Sequence, residues 1–537
     1  MKLGLVALTA FGTAFSLALP LTPGNLVVSQ IGADGRTTAL TNGATDLILK
    51  ELTSSGATVQ ILSLSTAGSA SITIPGNSTL GGHVTSGPTG MAVGGFLAPL
   101  GLSAVISTDA SQYPRGIAFW RTDGTLDRTT RLVDAYSRNE LRAVADDGFR
   151  LWTAGTSSGG GSYELQAGAR TTTLGASTST QLTGANFFSP ANVRFVAVHS
   201  GNLYLLNSEA GEAGVYAFGG QPITQSSPQL LPGLSQGFSP SVISGTTVWP
   251  NLTAFGFADA QTLYVAEENT RSTAPTSGPE RGGIYKFTRN GVTGVWSLAY
   301  RLKAGLPGFS SGTQTVGARS LCVTKNPSGQ PVLYVVSGEA AGQSTGVYRV
   351  VDTGPTVTFA LVSRSAANTC YRGVAIVPTA PTSNRTVSGT VSLSGSWSGS
   401  TSGANQVNAT LVINDGAAAV DTPLNFVNGV AGFSINVPAS VGSGAIKVST
   451  KFGTFLRRAL TGVNLGSTGI ALSMRNGDVD ADGDVSILDY LNLSNAYEST
   501  VGSWEYGDGS ADLDKDGEVS ILDYIILSSN YEASDDH

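Results

Sequence analysis

Two short stretches near the carboxyl end decide what this chain can fold into. Asp478, Asp480, Asp482, Gly483, Ser486 and Asp489 fall at positions 1, 3, 5, 6, 9 and 12 of a twelve-residue loop. Asp512, Asp514, Asp516, Gly517, Ser520 and Asp523 repeat the pattern 34 residues later. The last 62 residues, from Asn476, hold 16 Asp and Glu against one base, Lys515, a net charge of -15. The 475 residues before them carry 29 basic and 21 acidic side chains, a net +8. So dense a negative charge resists compaction unless cations neutralise it.

The loop spacing says which cation. Alternate side chains wrap round one point, and calcium takes about six to eight hard oxygens in such a cage. The glycine permits the sharp turn, position 7 offers a backbone carbonyl (Asp484 and Glu518), and position 9 (Ser486 and Ser520) ligates through water. Two calcium ions are expected, one per loop. Each loop runs into Val-Ser-Ile-Leu-Asp-Tyr and then a helical pattern. Ile487, Tyr490 and Leu491, and Ile521, Tyr524 and Ile525, fall at i, i+3, i+4, which predicts two helices packed over a shared core through this face. The segment 476–537 resembles a dockerin: two loop-plus-helix repeats, no helix entering either loop, and Asp rather than Glu at position 12. The resemblance implies docking onto a cohesin-like partner. Loop positions 10 and 11 are Ile487-Leu488 and Ile521-Leu522, where cellulosomal dockerins often carry small hydroxyl residues, so a non-cellulosomal or hydrophobic docking surface is implied.

The long segment before this tail is a degenerate β repeat. Glycine is 69 of 537 residues, about twice the usual share, and lacks a collagen-like period. Leu-aromatic pairs recur at Leu151-Trp152, Leu203-Tyr204, Leu263-Tyr264 and Leu333-Tyr334. Each follows a small or apolar strand (Arg142–Ala145, Arg194–Ala197, Phe255–Ala258, Arg319–Cys322) and precedes a strand carrying Tyr. Tandem four-stranded units are what a β-propeller is made of. A last copy, Arg372–Ile376, has no strands after it, whereas Leu26–Ile31, Asp46–Leu52 and Thr58–Leu64 lack a fourth. Pairing these would close the ring and remove both edges. The reading is a mainly β chain: a propeller over 24–380 with six blades, or seven if 64–135 merges two. An open repeat or elongated sandwich is the alternative. The segment resembles secreted bacterial β-propeller proteins of undefined activity through Gly24–Val28, Ser54-Ser55-Gly56 and Arg372–Pro378.

Between the two lies a change of texture. Alternating strands with Asn414-Asp415-Gly416 and Asn428-Gly429 hairpin signals predict a small β-sandwich spacer over 385–475. It resembles the carboxypeptidase-regulatory-like modules that precede dockerins, including the turn Phe455-Leu456-Arg457-Arg458. At the other end, Lys2, a short apolar run and Ser16-Leu17-Ala18 make residues 1–18 a secretory signal. No later run approaches the length of a membrane span, and the diffuse basic excess gives no nucleic-acid stripe. Cys322 and Cys370 are compatible with one disulfide or with two buried thiols.

Catalytic chemistry is thinly represented. Three histidines occur, His83, His199 and His537, and no Gly-x-Ser-x-Gly turn sits near a plausible partner. His199 reads as a strand-end residue. Glu267-Glu268 is the most suggestive acidic pair, yet adjacent strand residues point to opposite faces. The expectation is an exported, non-catalytic binding or structural protein whose propeller recognises a glycan or a protein. The alternative is an extracellular polysaccharide-active enzyme of the O-glycosyl hydrolase type, which needs two facing carboxyls. A third reading is a calcium-stabilised surface protein whose tail has no cohesin.

Overall fold

The computed structural model describes residues 18–536 except 66–70, 148–149, 160, 185–188, 311–313, 340–342, 379–384, 394–405, 428, 439–440, 442–444 and 501–510. Most of the expected signal, residues 1–17, lies outside the described residues. The chain forms two compact units, 1–146 with 150–380, and 381–537 with 147–149. Among the described residues no helix is long and apolar enough to cross a membrane.

The first unit is built of antiparallel sheets whose strands follow one another in sequence. Leu141–Asp146, Arg150–Gly155, Gly168–Thr173 and Thr180–Gln181 make one. Val193–His199, Asn202–Asn207, Gly214–Ala217 and Gln229–Leu230 make the next. Two more follow: Asn251–Asp259 through Trp296–Leu302, and Ala318–Lys325 through Ala360–Arg364. The Leu-aromatic pairs lie in the second strand of each, with Trp152 and Tyr264 fully buried. Tyr264 also ties two sheets together, donating to Asp352 at 2.5 Å.

Closure occurs where the sequence expects it. Cys370–Ile376 pairs with Leu26–Ile31, Leu26 opposite Ile376 and Ile31 opposite Cys370, and Leu26–Ile31 continues into Ala44–Leu52 and Thr58–Ser63. The stretch 64–135, where two units might have merged, contains one four-strand set: Val84–Ser86, Gly90–Leu97, Arg115–Arg121 and Leu126–Leu132. A short extra strand, Ile72–Pro75, bridges this set to Ala44–Leu52. The innermost strands touch in order, Val84–Ser86 to Leu141–Asp146, then Val193–His199, Asn251–Asp259, Ala318–Lys325 and Cys370–Ile376, which returns to Val84–Ser86. The result is a propeller-like ring without free ends.

The second unit contains two sheets on one apolar core. Val430–Asn436, Thr386–Leu393 and Ile470–Met474 form a three-stranded sheet. Ala418–Asn425, Gln406–Ile413, Ile446–Phe452 and Phe455–Val463 form a four-stranded one. Inward residues of both, among them Val391, Phe433, Leu411 and Val448, share a cluster. Val430–Asn436 alternates exposed and buried residues without a break, as a strand with one solvated face must. The tail adds helices Ile487–Asn495 and Ile521–Ser529.

The tail's core differs from the one its periodicity predicts. Ile487, Tyr490, Leu491, Ile521, Tyr524 and Ile525 are exposed, not packed inward. The core consists of Val485, Leu493, Leu513, Val519, Ile526 and Leu527, joined by Leu456 from the four-stranded sheet. A helical stripe fixes a face but not what covers it, and here the loops supply the covering side chains.

The ring closure leaves no room beside Gly373. A methyl group there would run into the Val84 amide nitrogen and the Gly82 carbonyl, while its own N–H donates to Ser29 Oγ at 2.8 Å. Gly373→Ala should destabilise the first unit by about 1–3 kcal/mol through overpacking. Gly220→Ala, which meets no atom within 4 Å, should leave thermal unfolding unchanged. Differential scanning calorimetry of both variants checks the pair.

Candidate metal centres

Each loop is shaped by backbone amides that its own carboxylates collect. Gly483 N–H donates to Asp478 Oδ2 at 3.2 Å and Gly517 N–H to Asp512 Oδ2 at 2.9 Å. Both glycines have φ +97, the left-handed conformation a side chain disfavours. Asp482 Oδ1 accepts Asp484 N–H and Asp516 Oδ1 accepts Glu518 N–H, each at 2.9 Å.

Position 12 does two jobs. Asp489 Oδ1 accepts Val479 N–H at 2.6 Å and Asp480 N–H at 3.1 Å, while Oδ2 accepts Ser486 N–H at 2.7 Å. Asp523 repeats this, with Leu513 N–H, Asp514 N–H at 3.1 Å and Ser520 N–H at 2.7 Å. Ser486 and Ser520 are helix N-caps, their hydroxyl oxygens accepting Leu488 N–H and Leu522 N–H at 3.1 Å. Serine and aspartate together make a capping box in each repeat, one reason each helix starts where it does.

Carboxylate oxygens converge within 4.8 Å of one another in two groups, Asp478, Asp480 and Asp489, and Asp512, Asp514 and Asp516. Asp523 and Asp482 stand outside these groups in the positions described above, and Asp484 and Glu518 turn their side chains to solvent. The charges strain one another. Burial, then the charges of Asp523 and Asp516, pushes Asp514 up to about 6. Burial likewise raises Asp478, Asp480 and Asp512, with Asp489 or Asp523 adding to the effect. Asp478 Oδ1 is buried without a hydrogen-bond partner, although an ionised carboxylate oxygen ordinarily finds one. An all-oxygen donor set with an orphaned buried lone pair fits a hard divalent cation such as calcium.

Other residues that shape this centre were not singled out from the sequence. Lys451, on the four-stranded sheet, donates to Asp478 Oδ2 at 2.7 Å and faces Asp535 at 3.4 Å. Asp535 also accepts Arg457 N–H at 2.6 Å, and Asp536 pairs with Arg458 at 2.9 Å. Asn476 accepts from Thr454 Oγ1 at 2.6 Å and donates to Leu513 O at 2.8 Å. The basic Arg457-Arg458 turn facing a terminal Asp-Asp pair was the available signal. The repeats also brace each other: Val485 exchanges hydrogen bonds with Glu532 and Ala533, and Val519 with Glu498 and Ser499.

The first unit answers the remaining sequence questions. Glu267 faces Arg281, Arg301 and Tyr285, whereas Glu268 pairs with Arg319, so the adjacent acids diverge. His199 ends its strand and stacks on Phe257 at 4.6 Å, beside a 510 Å³ cavity also lined by Tyr204, Arg289 and Trp296. Cys322 and Cys370 are free thiols.

Residues 476–530 match the family model of the dockerin type I domain. No curated protein matches the chain. Among solved structures, a type II cohesin-X-dockerin complex from Acetivibrio cellulolyticus is 21% identical, covering 28% of this chain and 96% of that one, at a TM-score of 0.23. A gluconolactonase from Xanthomonas campestris is 14% identical over 64% of this chain and 87% of its own, at 0.31. A chain of a nidogen/laminin complex is 11% identical over 66% and 98%, at 0.34. At these scores the architecture rests on the strand pairing described above, not on the likenesses. The carboxyl-terminal segment 476–530 is a dockerin type I domain.

Proposed function

We propose that this is an exported, non-catalytic binding or structural protein: a six-bladed propeller, a seven-stranded β-sandwich spacer, and a dockerin that binds two calcium ions and docks onto a cohesin-like partner. The carrying observation is the duplicated loop whose carboxylates converge twice. One ion is held by Asp478, Asp480, Asp482 and Asp489, the Asp484 carbonyl and, through water, Ser486. The other is held by Asp512, Asp514, Asp516 and Asp523, the Glu518 carbonyl and Ser520. Calcium binding is then coupled to ordering of a unit with a small core.

The docking surface joins the exposed stripe that periodicity assigned to the core with the apolar residues at loop positions 10 and 11. Ile487, Leu488 and Leu491 on one helix and Ile521, Leu522 and Ile525 on the other stay in solvent, with Tyr490 and Tyr524 in edge-to-face contact at 5.7 Å between them. So many exposed apolar side chains on two short helices mark an interaction face. In the first unit, the cavity at His199, Phe257, Trp296 and Arg289 combines ring faces with a polar donor, as a glycan site does. The divergent partners of Glu267 and Glu268 favour binding over hydrolysis.

Isothermal titration of the full chain should register two calcium ions. Asp478→Asn and Asp512→Asn should each reduce the stoichiometry to one, and a parent stoichiometry below two overturns the assignment. Leu488→Asp combined with Leu522→Asp should abolish calcium-dependent capture by a panel of immobilised cohesin modules. A buried apolar anchor at an interface contributes about 2 kcal/mol or more, so losing two should weaken capture at least about a hundredfold. Unchanged capture would place the docking face elsewhere.

A further inference from the structure

Four of the six innermost strands described in the first unit start alike. Arg142, Arg194, Arg319 and Arg372 each stand at the second or third residue of an inner strand, and His83 directly precedes Val84–Ser86. Because neighbouring inner strands touch round the ring, these positions meet near its axis. The contacts agree. His83 N–H donates to the Arg142 carbonyl at 3.2 Å, Arg142 reaches Val193 O at 3.1 Å, and a methyl group built on Gly82 would lie 3.4 Å from Arg372 Cβ.

Several donors of the cluster meet no acceptor among the described residues, and two buried carboxylate oxygens beside it, Glu140 Oε1 and Glu339 Oε2, are likewise without a partner. Arg319 Nε and Nη1, Arg372 Nη2, Arg142 Nε and Arg194 Nε are buried atoms with no hydrogen-bond partner, as is His83 Nδ1. Arg319 and Arg372 are 0% exposed and Arg142 3%. Arg115, equally buried, shows how this protein treats a structural arginine: its Nε, Nη1 and Nη2 all donate to carbonyls, of Tyr136, Asn139, Tyr113 and Thr108. Among the described residues nothing comparable surrounds Arg319, whose Nη2 alone is engaged, by Glu268 and the Glu339 carbonyl.

Charge leads to the same place. Against four guanidinium groups stand the buried carboxyls of Glu140 and Glu268 and that of Glu339, whose Oε1 lies 3.4 Å from Arg364 and whose Oε2 is buried without a partner, while Glu209 is exposed. Burial, then the charges of Arg319, Arg142, Arg372 and Arg194, lowers His83 to about 3, so it stays neutral and adds no charge. At least one positive charge is left without a counter-charge in a site where unpaired charge is costly.

We propose that the axial end of the ring, where the inner strands begin, binds one small oxyanion of the carboxylate or sulfate class through the unpartnered N–H groups of Arg142, Arg319 and Arg372, with half-buried Arg194 at its entrance. Arginine donors carried by neighbouring inner strands suit a multi-oxygen anion, which can accept several charge-assisted hydrogen bonds at once. The anion is either free in solution or the acidic group of a larger glycan.

The test is thermal unfolding of the full chain, starting chloride-free with calcium held constant, in titrations with sodium sulfate, sodium chloride and digalacturonate at matched ionic strength. Sulfate should raise Tm saturably and beyond chloride. Tighter binding of digalacturonate identifies a glycan acid as the source, and a response to sulfate alone identifies a free ion. Arg194→Gln removes a charge without removing a named hydrogen bond. It should weaken the anion response about tenfold or more, while its anion-free Tm equals or exceeds the parent's because repulsion is relieved. A parent without a saturable response overturns the site. So does an Arg194→Gln variant that responds like the parent, or one whose Tm falls equally in every salt.

Discussion

The ladder between Leu26–Ile31 and Cys370–Ile376 is the contact on which the first unit depends. It joins the two ends of a long segment, but closure entropy grows slowly with length, by about 0.6 kcal/mol per doubling. In return both exposed sheet edges disappear. Closure also sets geometry. Only when Cys370–Ile376 lies beside Val84–Ser86 does Arg372 face the same axis as Arg142 and Arg319. A repeated sequence position becomes a concentrated buried charge because the ring is shut.

The protein thus gathers charge twice, with opposite signs, and the same physics governs both places. Burial and like-charge repulsion push the tail carboxylates up, Asp514 to about 6. They push the axial guanidinium groups down, burial first, Arg142 to about 9 and Arg372 to about 10. At neutral pH neither shift discharges the group: a carboxyl that titrates near 6 is still mostly ionised, and a guanidinium that titrates near 9 is still protonated. Proton exchange leaves both clusters charged, so each still calls for counter-charge. Lys451 does part of this work in the tail by pairing with Asp478, as Glu268 does for Arg319 in the ring.

What was legible in the sequence was whatever is local. Leu151-Trp152, Leu203-Tyr204, Leu263-Tyr264 and Leu333-Tyr334 marked the second strand of successive sheets because each pair sits inside its own strand. The loop carboxylates were legible because their spacing is the cage. Two things escaped for one reason. The arginines opening the inner strands were visible as strand markers, but that they converge is a property of the closed ring, not of any one repeat. The stripe at Ile487 and Ile521 was visible as apolar. Its exposure follows from core residues supplied by other segments, notably Leu456 of the preceding sheet and Leu513 of the second loop. Periodicity carries no information about such distant coverage.

In the tail the proposed ion sites and the proposed docking face occupy the same short segments. Ser486 caps the first helix and Asp489 closes both the loop and the capping box. Ile487 and Leu488 lie between them, so the residues that present the apolar face are held by the same four positions that finish the cage. Ser520, Ile521, Leu522 and Asp523 repeat the arrangement. A helix of nine residues is marginal in water by itself, and its first turn here is fixed by a carboxylate whose neighbours repel it. Neutralising that carboxylate with a cation steadies the loop, the cap and the exposed face together. Under the function proposed above, calcium need not touch the partner to influence docking, because the cage, the cap and the exposed stripe share one segment.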